Sequence, residues 1–346
     1  MKRLFFAGNF LSKTRSTRSA GEELVDQLLN IDYSIIVASK YSNRIIRLFD
    51  FLFTAVRNSN KYDIAILEVY SNKAFIWAEI LVIFLKLLNK PIILVMHGGG
   101  LVNFYKKKPK RVEKLLLSGN QVATPSLFLK ESFTHIRNDI IYLPNGIDIS
   151  SYAFFKRMNI KPNLVWFRAF HQVYNPKMAI DSIYLLDNQI QDIYLQMIGP
   201  DKKDGSKKLV DELIAKYNLR SKIEIVGPIG KIDVSKWLNI SDIFLNTTNF
   251  ESFGVSVVEA AACGLCIVTT IVGELSYLWE NEVDALLIPP NDPEAMAAAI
   301  QRLLNEPDLA SRLSSNARKK AELYDWSIIL PQWEALFEVI MNKNKK

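Results

Sequence analysis

The segment spanning residues 241–270 carries two glutamates, Glu251 and Glu259, with seven residues between them. Glu259 falls in a run of small apolar residues, so a helix formed by that run offers little polar surface for its charge. A carboxylate held in such a helix needs a partner. The two adjacent hydroxyls of a ribose can donate to its two oxygens, so Glu259 is predicted to bind the ribose of a nucleotide.

Three residues before this helix supply the second half of the prediction. Ser252, Phe253 and Gly254 should present free backbone N–H groups at the positive end of the helix, an arrangement suited to phosphate. Apolar or β-branched runs at residues 242–246 and 266–270 predict a strand–loop–helix–strand unit. In an open parallel sheet such a loop lies at the carboxyl ends of the strands, where ligands bind. Phosphate at the helix end and ribose one turn deeper predict a nucleotide site.

The motif E-S-F-G-x4-E-A-x-A-x-G, from Glu251 to Gly264, resembles the E-x7-E signature of retaining glycosyltransferases of the GT-B fold, family four or glycosyl transferases group 1. The resemblance covers residues 164–305 well and residues 1–163 in patches. It implies an α/β protein with two Rossmann-like, doubly wound domains facing across a cleft. It also implies sugar transfer from a UDP- or GDP-linked donor to an acceptor hydroxyl with retention, Glu251 holding sugar hydroxyls and Glu259 the ribose. A surface helix with two ordinary glutamates is the alternative.

Arg168 ends a predicted strand and matches the arginine that holds the donor diphosphate in this family. The family's neighbouring lysine has no match, because Val173 or Tyr174 falls at its position. Lys177, one helical turn further on, is predicted as the substitute. An arginine at a strand end is otherwise a solvated cap.

His97 follows a predicted strand at residues 91–96 and precedes Gly98, Gly99 and Gly100. Glycines let a backbone approach a ligand closely. In the family a histidine after this strand lies beside the transferred sugar. The resemblance therefore implies a catalytic role for His97 and donor contacts from Gly98 and Gly99; a structural histidine is the alternative.

The sequence contains no metal-ligand spacing and no Asp-x-Asp. With the resemblance, this predicts a metal-independent enzyme that uses no cofactor besides its nucleotide-sugar substrate. Cys263 and Cys266 form a C-x-x-C, for which packing is favoured over redox chemistry because Cys266 opens a buried strand. A loop at residues 8–19 offers cations to donor phosphates or an anionic acceptor: Lys13, Arg15 and Arg18.

Strands and helices are predicted to alternate throughout the 346 residues, which indicates parallel sheets covered on both faces. Residues 1–150 are predicted as an acceptor-binding domain and residues 163–325 as a nucleotide-sugar-binding domain. Residues 326–346 form a helix that in the family crosses back to the first domain. Strands are predicted at residues 3–7, 34–38, 63–69, 91–96, 121–123, 140–143, 164–167, 193–198, 223–226, 242–246, 266–270 and 285–288.

Positive charge is concentrated in residues 1–150, which hold 21 Lys and Arg against 12 Asp and Glu. Such an excess indicates an anionic partner, either lipid or nucleic acid. Nucleic acid is disfavoured because the charge is scattered without interleaved exposed aromatics. Reversible contact with anionic membrane is predicted instead, with Phe104 and Tyr105 as inserting groups and an ordinary basic surface as the alternative. Its basic residues are Lys106, Lys107, Lys108, Lys110 and Arg111.

Two cysteines indicate a reducing compartment, and the N-terminal run is predicted to be a strand rather than a signal peptide. The predicted protein is therefore cytoplasmic, peripheral on the inner face of the membrane. Its predicted role is bacterial cell-surface polysaccharide or glycolipid synthesis on a sugar or lipid-linked acceptor. Three alternatives remain: a non-catalytic nucleotide-sugar-binding relative, a nucleic-acid-binding protein, and a nicotinamide dehydrogenase, although no G-x-G-x-x-G follows a predicted strand.

Overall fold

The computed structural model describes residues 2–11 and 18–343, and the chain divides into two compact units. Unit 1 comprises Met1–Gly146 together with Trp326–Lys346, and unit 2 comprises Ile147–Asp325. Within the described residues the chain forms twelve strands and fourteen α-helices. The strands are β1 (Lys2–Ala7), β2 (Tyr33–Ala38), β3 (Ile64–Val69), β4 (Ile92–Met96), β5 (Gln121–Thr124), β6 (Ile141–Tyr142), β7 (Asn163–Phe167), β8 (Tyr194–Ile198), β9 (Ile223–Gly227), β10 (Ile243–Asn246), β11 (Cys266–Thr270) and β12 (Leu286–Ile288). The α-helices are α1 (Ala20–Leu29), α2 (Arg44–Arg57), α3 (Phe75–Leu87), α4 (Gly100–Lys107), α5 (Pro109–Leu116), α6 (Leu127–Phe133), α7 (Pro176–Leu186), α8 (Ser206–Lys216), α9 (Val234–Leu238), α10 (Val255–Ala262), α11 (Leu275–Leu278), α12 (Pro293–Asn305), α13 (Pro307–Glu322) and α14 (Trp326–Lys343).

The sheet of unit 1 has the strand order β2-β1-β3-β4-β5-β6, and its strand pairs are parallel. The chain passes from β1 outward to β2 and then returns past β1 to β3, so the winding direction switches between β1 and β3. Helices α2, α3 and α5 cover one face, and α1 and α14 cover the other. The predicted parallel sheet covered on both faces is confirmed here.

Unit 2 repeats the plan with the order β12-β11-β10-β7-β8-β9, again with parallel pairs. Its winding direction switches between β7 and β10. Successive residues of β7 point to opposite faces: Trp166 packs in the core beneath α7 and α12, and Val165 packs in the core beneath α10. Ligands of doubly wound sheets bind outside the carboxyl ends of the strands at such switch points.

The sequence predicts a loop-rich linker between the two domains at residues 145–162, and the structure assigns residues 147–162 of it to unit 2. Its Arg157 is only 6% exposed, because the guanidinium is held by the carbonyl of Ser241 at 2.8 Å and by Asp242 at 3.0 Å. A buried cation with these partners ties the segment to the start of β10. The unit boundary therefore follows Gly146, and α14 packs its Trp333 against the core of unit 1.

Helix α4 was absent from the predicted elements, because three glycines and a lysine run show no helical periodicity. On it, Phe104 and Tyr105 are half-buried and pack against the core of unit 1. The Tyr105 hydroxyl also donates to Glu113 at 3.1 Å. These two residues are therefore not the exposed apolar groups that the prediction of membrane insertion required.

Candidate functional site

Arg168 and Glu251 meet at the switch point of unit 2. Arg168 directly follows β7, and Glu251 lies in the loop after the neighbouring strand β10. Their side chains form an ion pair with only 11% and 10% of their surfaces exposed. The guanidinium also donates to Asn246 Oδ1 at 3.4 Å and stands 5.0 Å from the ring centre of Tyr174. Sequence reasoning placed both residues in one site, and the structure brings them into contact.

Glu251 is bound from its other side by the backbone before α10. Its Oε1 accepts from the N–H of Ser252 at 3.0 Å and of Phe253 at 3.5 Å. These are two of the N–H groups that the sequence predicted to be free for phosphate. Both of these N–H groups are thus occupied by a carboxylate of the chain itself.

Buried hydroxyls shape the loop between β10 and Glu251. Thr247 receives a hydrogen bond from Trp166 Nε1 at 2.9 Å and donates to the carbonyl of Tyr174 at 2.7 Å. The carbonyl of Thr248 accepts from Thr270 Oγ1 at 2.6 Å. A buried loop needs such partners for its polar atoms, and here they fix where Glu251 projects.

Glu259 lies in α10 with 5% of its surface exposed, as the apolar helix predicted. Its Oε1 accepts from the Tyr152 hydroxyl at 2.7 Å and from Lys231 Nζ at 3.2 Å. The partner that the sequence required therefore includes two groups of the chain. Both donors orient the carboxylate, and neither was predicted.

Lys177, the predicted substitute for the missing family lysine, lies at the start of α7 and is half-exposed. Its ammonium pairs with Asp181 one turn further along the helix. Arg168 is paired within the chain as well, so this pairing does not separate the two cations, and the role of Lys177 at the diphosphate stays a prediction.

His97 lies in unit 1, directly after β4, and its ring stacks on Tyr70 with 5.5 Å between the ring centres. Its Nε2 is 3.7 Å from Oε1 of Glu68, a carboxylate with 1% side-chain exposure. Burial lowers the pKa of His97 below its ordinary value, although the negative charge of Glu68 acts in the opposite direction. The imidazole is therefore neutral near pH 7 and can accept a proton or a hydrogen bond. Gly98 and Gly99 follow it, Gly98 with a positive φ of 75°.

The second unit matches a known family. Residues 157–320 match the model of the family described as "Glycosyl transferases group 1". The chain is 23% identical to a D-inositol 3-phosphate glycosyltransferase of Jonesia denitrificans over 47% of the chain and 39% of that relative. It thus spans less than half the length of the first curated relatives that it matches. The match to the group 1 glycosyltransferases thus lies within the second unit and covers just under half of the chain.

The fold of the chain is GT-B, as its likeness to two solved structures shows. A sucrose-phosphate synthase of Thermosynechococcus elongatus superposes with a TM-score of 0.83 at 16% identity, covering 99% of this chain and all of that one. Anabaena Alr3699/HepE, solved in complex with UDP and glucose, gives a TM-score of 0.76 at 16% identity, covering 98% and 100%. The predicted pair of Rossmann-like domains is confirmed by this likeness.

The two cysteines and the predicted cations of the loop at residues 8–19 were also singled out from the sequence. Cys263 and Cys266 are buried, and burial raises their pKa values to about 11 and about 12, so both thiols stay protonated and packing accounts for them. Arg18 pairs with Asp26. Lys13 and Arg15 lie outside the described residues.

Two larger features are absent from residues 2–11 and 18–343. No three His, Cys, Asp or Glu side chains of this part of the chain are grouped so that they could hold a metal ion. In the same residues, no helix combines the length and the apolar character needed to cross a bilayer.

Sequence reasoning missed five residues of these sites: Glu68, Tyr70, Tyr152, Lys231 and Asn246. Glu68 carried a usable signal, because it is a carboxylate inside the apolar strand β3, the same anomaly that singled out Glu259. Tyr152 and Lys231 carried none, since they reach Glu259 from segments 107 and 28 residues away.

Proposed function

We propose that this protein transfers a sugar from a UDP- or GDP-linked donor to an acceptor hydroxyl, with retention of configuration and without a metal ion or further cofactor. The observation that carries this proposal is the buried Arg168–Glu251 pair at the switch point of unit 2. It unites a cation for a diphosphate with a carboxylate for sugar hydroxyls. The UDP and glucose named for the structurally similar Anabaena protein support a nucleotide-sugar donor.

The donor diphosphate would compete with Glu251 for its present partners. Arg168 and the N–H groups of Ser252 and Phe253 are all suited to phosphate oxygens, and Glu251 now accepts from each of them. Diphosphate binding at these donors would release the Glu251 carboxylate. The released carboxylate would then accept hydrogen bonds from hydroxyls of the sugar.

Glu259 would hold the ribose. Tyr152 and Lys231 both donate to its Oε1, so they orient the carboxylate. A charged carboxylate accepts stronger hydrogen bonds than a neutral acceptor. Adjacent ribose hydroxyls fit this chemistry.

The proposed reaction is a front-face displacement. The bond between the anomeric carbon and the diphosphate oxygen breaks, the acceptor oxygen forms its bond to the same face of that carbon, and the acceptor proton passes to the departing diphosphate oxygen. Negative charge grows on the diphosphate as it leaves. Arg168 and the N–H groups before α10 stabilise that charge from fixed positions, which is the main catalytic contribution expected.

Nuclear magnetic resonance of the product tests this chemistry. Incubating the protein with UDP-glucose and GDP-mannose, with glycerol and glycerol 3-phosphate supplied as acceptors and in buffer containing EDTA, should release nucleoside diphosphate and give a glycoside with the donor's anomeric configuration. An inverted product, or activity that requires added Mg²⁺ or Mn²⁺, would refute the mechanism. Nucleotide binding without turnover of any donor would favour the non-catalytic relative instead.

Unit 1 would bind the acceptor, and we place the reaction in bacterial cell-surface polysaccharide or glycolipid synthesis at the cytoplasmic face of the membrane. The membrane contact we propose is an apolar stripe on α2 formed by Ile45, Phe49, Phe53 and Val56, which follow one another at helical spacing. Phe49 and Phe53 are 66% and 62% exposed.

Positive charges beside this apolar stripe indicate which kind of partner it binds. Exposed arginines begin and end α2, and Arg57 lies 5.5 Å from the ring centre of Phe53. Apolar side chains flanked by cations complement the boundary of an anionic bilayer. We therefore propose an anionic bilayer as the partner of this stripe.

Sedimentation with vesicles tests this contact. Vesicles containing anionic lipid should bind the protein at low salt, and Phe49→Ser with Phe53→Ser should abolish binding. The matched control is Ile232→Ser with Leu323→Ser, which removes exposed apolar side chains from unit 2. Equal binding to neutral vesicles, no binding at low salt, or self-association relieved by the α2 change would refute the bilayer contact.

A further inference from the structure

Unit 1 has an open cavity of about 770 Å³ at its own topological switch point. Asn9, two residues after β1, and Tyr70, directly after β3, both line it. These are the two strands between which the winding direction reverses. Both the size and the place are those of a ligand site in a doubly wound sheet.

The charge of the lining is one-sided. Four cations line the cavity, Arg44, Arg47, Lys73 and Arg111, and the lining contains no carboxylate. Cavities lined by one sign of charge concentrate ligands of the opposite sign. The occupant indicated is an anion.

Two of these cations are held rigidly in the wall. Arg47 is 5% exposed, donates to Asn9 Oδ1 at 2.5 Å and stands 5.2 Å from the ring centre of Trp77. Arg111 is held by an ion pair with Glu79, to which its Nε donates at 2.9 Å, so it shapes the wall and its charge is balanced. Their positions are fixed before any ligand binds, which lowers the entropic cost of binding.

The other two cations, Arg44 and Lys73, are exposed at the cavity. Within residues 2–11 and 18–343, neither makes an ion pair. Two cations without counter-charges match a phosphate, which carries more than one negative charge near pH 7 and several acceptor oxygens.

The remaining wall is aromatic and leads to the candidate catalytic histidine. Trp77 and Phe104 line the cavity beside the cations. Tyr70 lines it as well and stacks on His97. A molecule with its anionic group at Arg44 and Lys73 would therefore have its next part near Tyr70, whose ring stacks on that of His97.

We propose that this cavity binds the phosphate group of a phosphorylated acceptor, so that the hydroxyl to be glycosylated belongs to a phosphate ester. The inference rests on the proposed function for the use made of the bound molecule. The phosphate ester is either a free molecule or the headgroup of a lipid.

Calorimetric titration of the intact protein tests the inference. The probes are inorganic phosphate, glycerol 3-phosphate and glycerol, with phosphatidylcholine vesicles containing phosphatidic acid as a separate arm. Arg44→Gln with Lys73→Gln should weaken binding of the phosphate probes about tenfold or more, because two charged hydrogen bonds are lost. Lys61→Gln with Lys114→Gln, two exposed cations of unit 1 outside the lining, should change the affinity less than about twofold.

The soluble probes and the vesicles distinguish a free phosphate ester from a lipid headgroup, and the variants distinguish the cavity from the donor site. Binding of the soluble esters indicates a free acceptor. Binding of vesicles but not of the soluble esters, with a loss of vesicle binding in Lys73→Gln alone, indicates a lipid headgroup, because Lys73 lines the cavity and lies outside α2. Unchanged affinity in the cavity variant, or loss only in Arg168→Gln, overturns the inference. Donor turnover is measured in parallel: turnover without phosphate binding overturns this inference alone, and phosphate binding without turnover overturns only the proposed function.

Discussion

At the scale of single residues, the two glutamates of the signature have different partners. Glu251 pairs with Arg168 and with backbone N–H groups that suit a phosphate, whereas Glu259 pairs with a tyrosine and a lysine. The first set of partners can be taken over by a donor diphosphate. The second set positions a carboxylate. The two residues should therefore respond differently to the same change.

Glu259→Gln should weaken nucleotide binding by about 1.5–3 kcal/mol, because a charged acceptor for the ribose becomes a neutral amide with one acceptor oxygen. Glu251→Gln should reduce turnover more than nucleotide affinity, since Glu251 is assigned to the sugar. Calorimetry with UDP and GDP and a turnover assay measure the two effects. Glu212→Gln, an exposed carboxylate on α8, is the matched control. If both site variants behave like this control, the donor site is misplaced.

His97 should make the free energy of unfolding depend on pH. Burial lowers its pKa in the folded protein, whereas in the unfolded chain it titrates near 6.5. Below about pH 6.5 the unfolded chain therefore binds the proton more readily, and stability falls as the pH decreases.

Urea unfolding between about pH 5 and pH 7.5 measures this slope. The profile of His97→Gln should be flatter than that of the parent in this window, because carboxylates contribute to both profiles and His97 only to the parent. Parallel profiles would show that burial does not lower the pKa of His97 in the folded protein.

Sequence reasoning identified which residues needed partners better than it identified the partners. The apolar surroundings of Glu259 predicted a buried carboxylate, and the structure confirms the burial. Tyr152, which binds it, lies 107 residues away in a segment predicted as a linker. Such contacts depend on how segments distant in the chain pack together, and local sequence patterns do not predict this packing.

At the scale of elements, Gly254 shows how the site constrains the backbone before α10. Gly254 and Gly205 both precede a helix with φ of 94°. A side chain at Gly205 would meet nothing within 4 Å, whereas one at Gly254 would lie 3.0 Å from Leu275 and 3.4 Å from Glu251. The two positions share the backbone strain and differ in the contacts.

Gly205→Ala should therefore cost about 1–2 kcal/mol of unfolding free energy from the backbone alone. Gly254→Ala should cost about 1–3 kcal/mol more through crowding of Leu275, and should also reduce turnover because its Cβ would press on Glu251. Urea unfolding and a turnover assay measure the two quantities. Equal losses in the two variants would mean that Gly254 serves only the turn.

All twelve strands of the described residues were predicted, whereas two of the helices, α4 and α11, were not. Buried parallel strands are continuous apolar runs, so β3, β10 and β11 were evident within a residue or so. Helix α4 was missed because Gly98 to Gly100 are typical of a loop. In the structure, Gly99 caps that helix and Gly100 begins it.

At the scale of the whole molecule, the positive charge of unit 1 and its exposed apolar residues support the proposed anionic partner. The excess of positive charge in residues 1–150 was visible in the composition. Its arrangement was not: Arg44, Arg47, Lys73 and Arg111 come together around a cavity only when β1, β3 and their helices fold. The lysine run at the end of α4 was the more conspicuous feature of the sequence, but these scattered residues form the candidate site.

The central claim is that a nucleotide-sugar is turned over at the Arg168–Glu251 pair. The most direct measurement is release of nucleoside diphosphate from UDP- and GDP-linked sugars by the parent, by Arg168→Gln and by Glu212→Gln. The account predicts turnover by the parent, a loss of about a hundredfold or more in Arg168→Gln through lost stabilisation of the leaving diphosphate, and parental rates in Glu212→Gln. Parental turnover in Arg168→Gln would contradict the account.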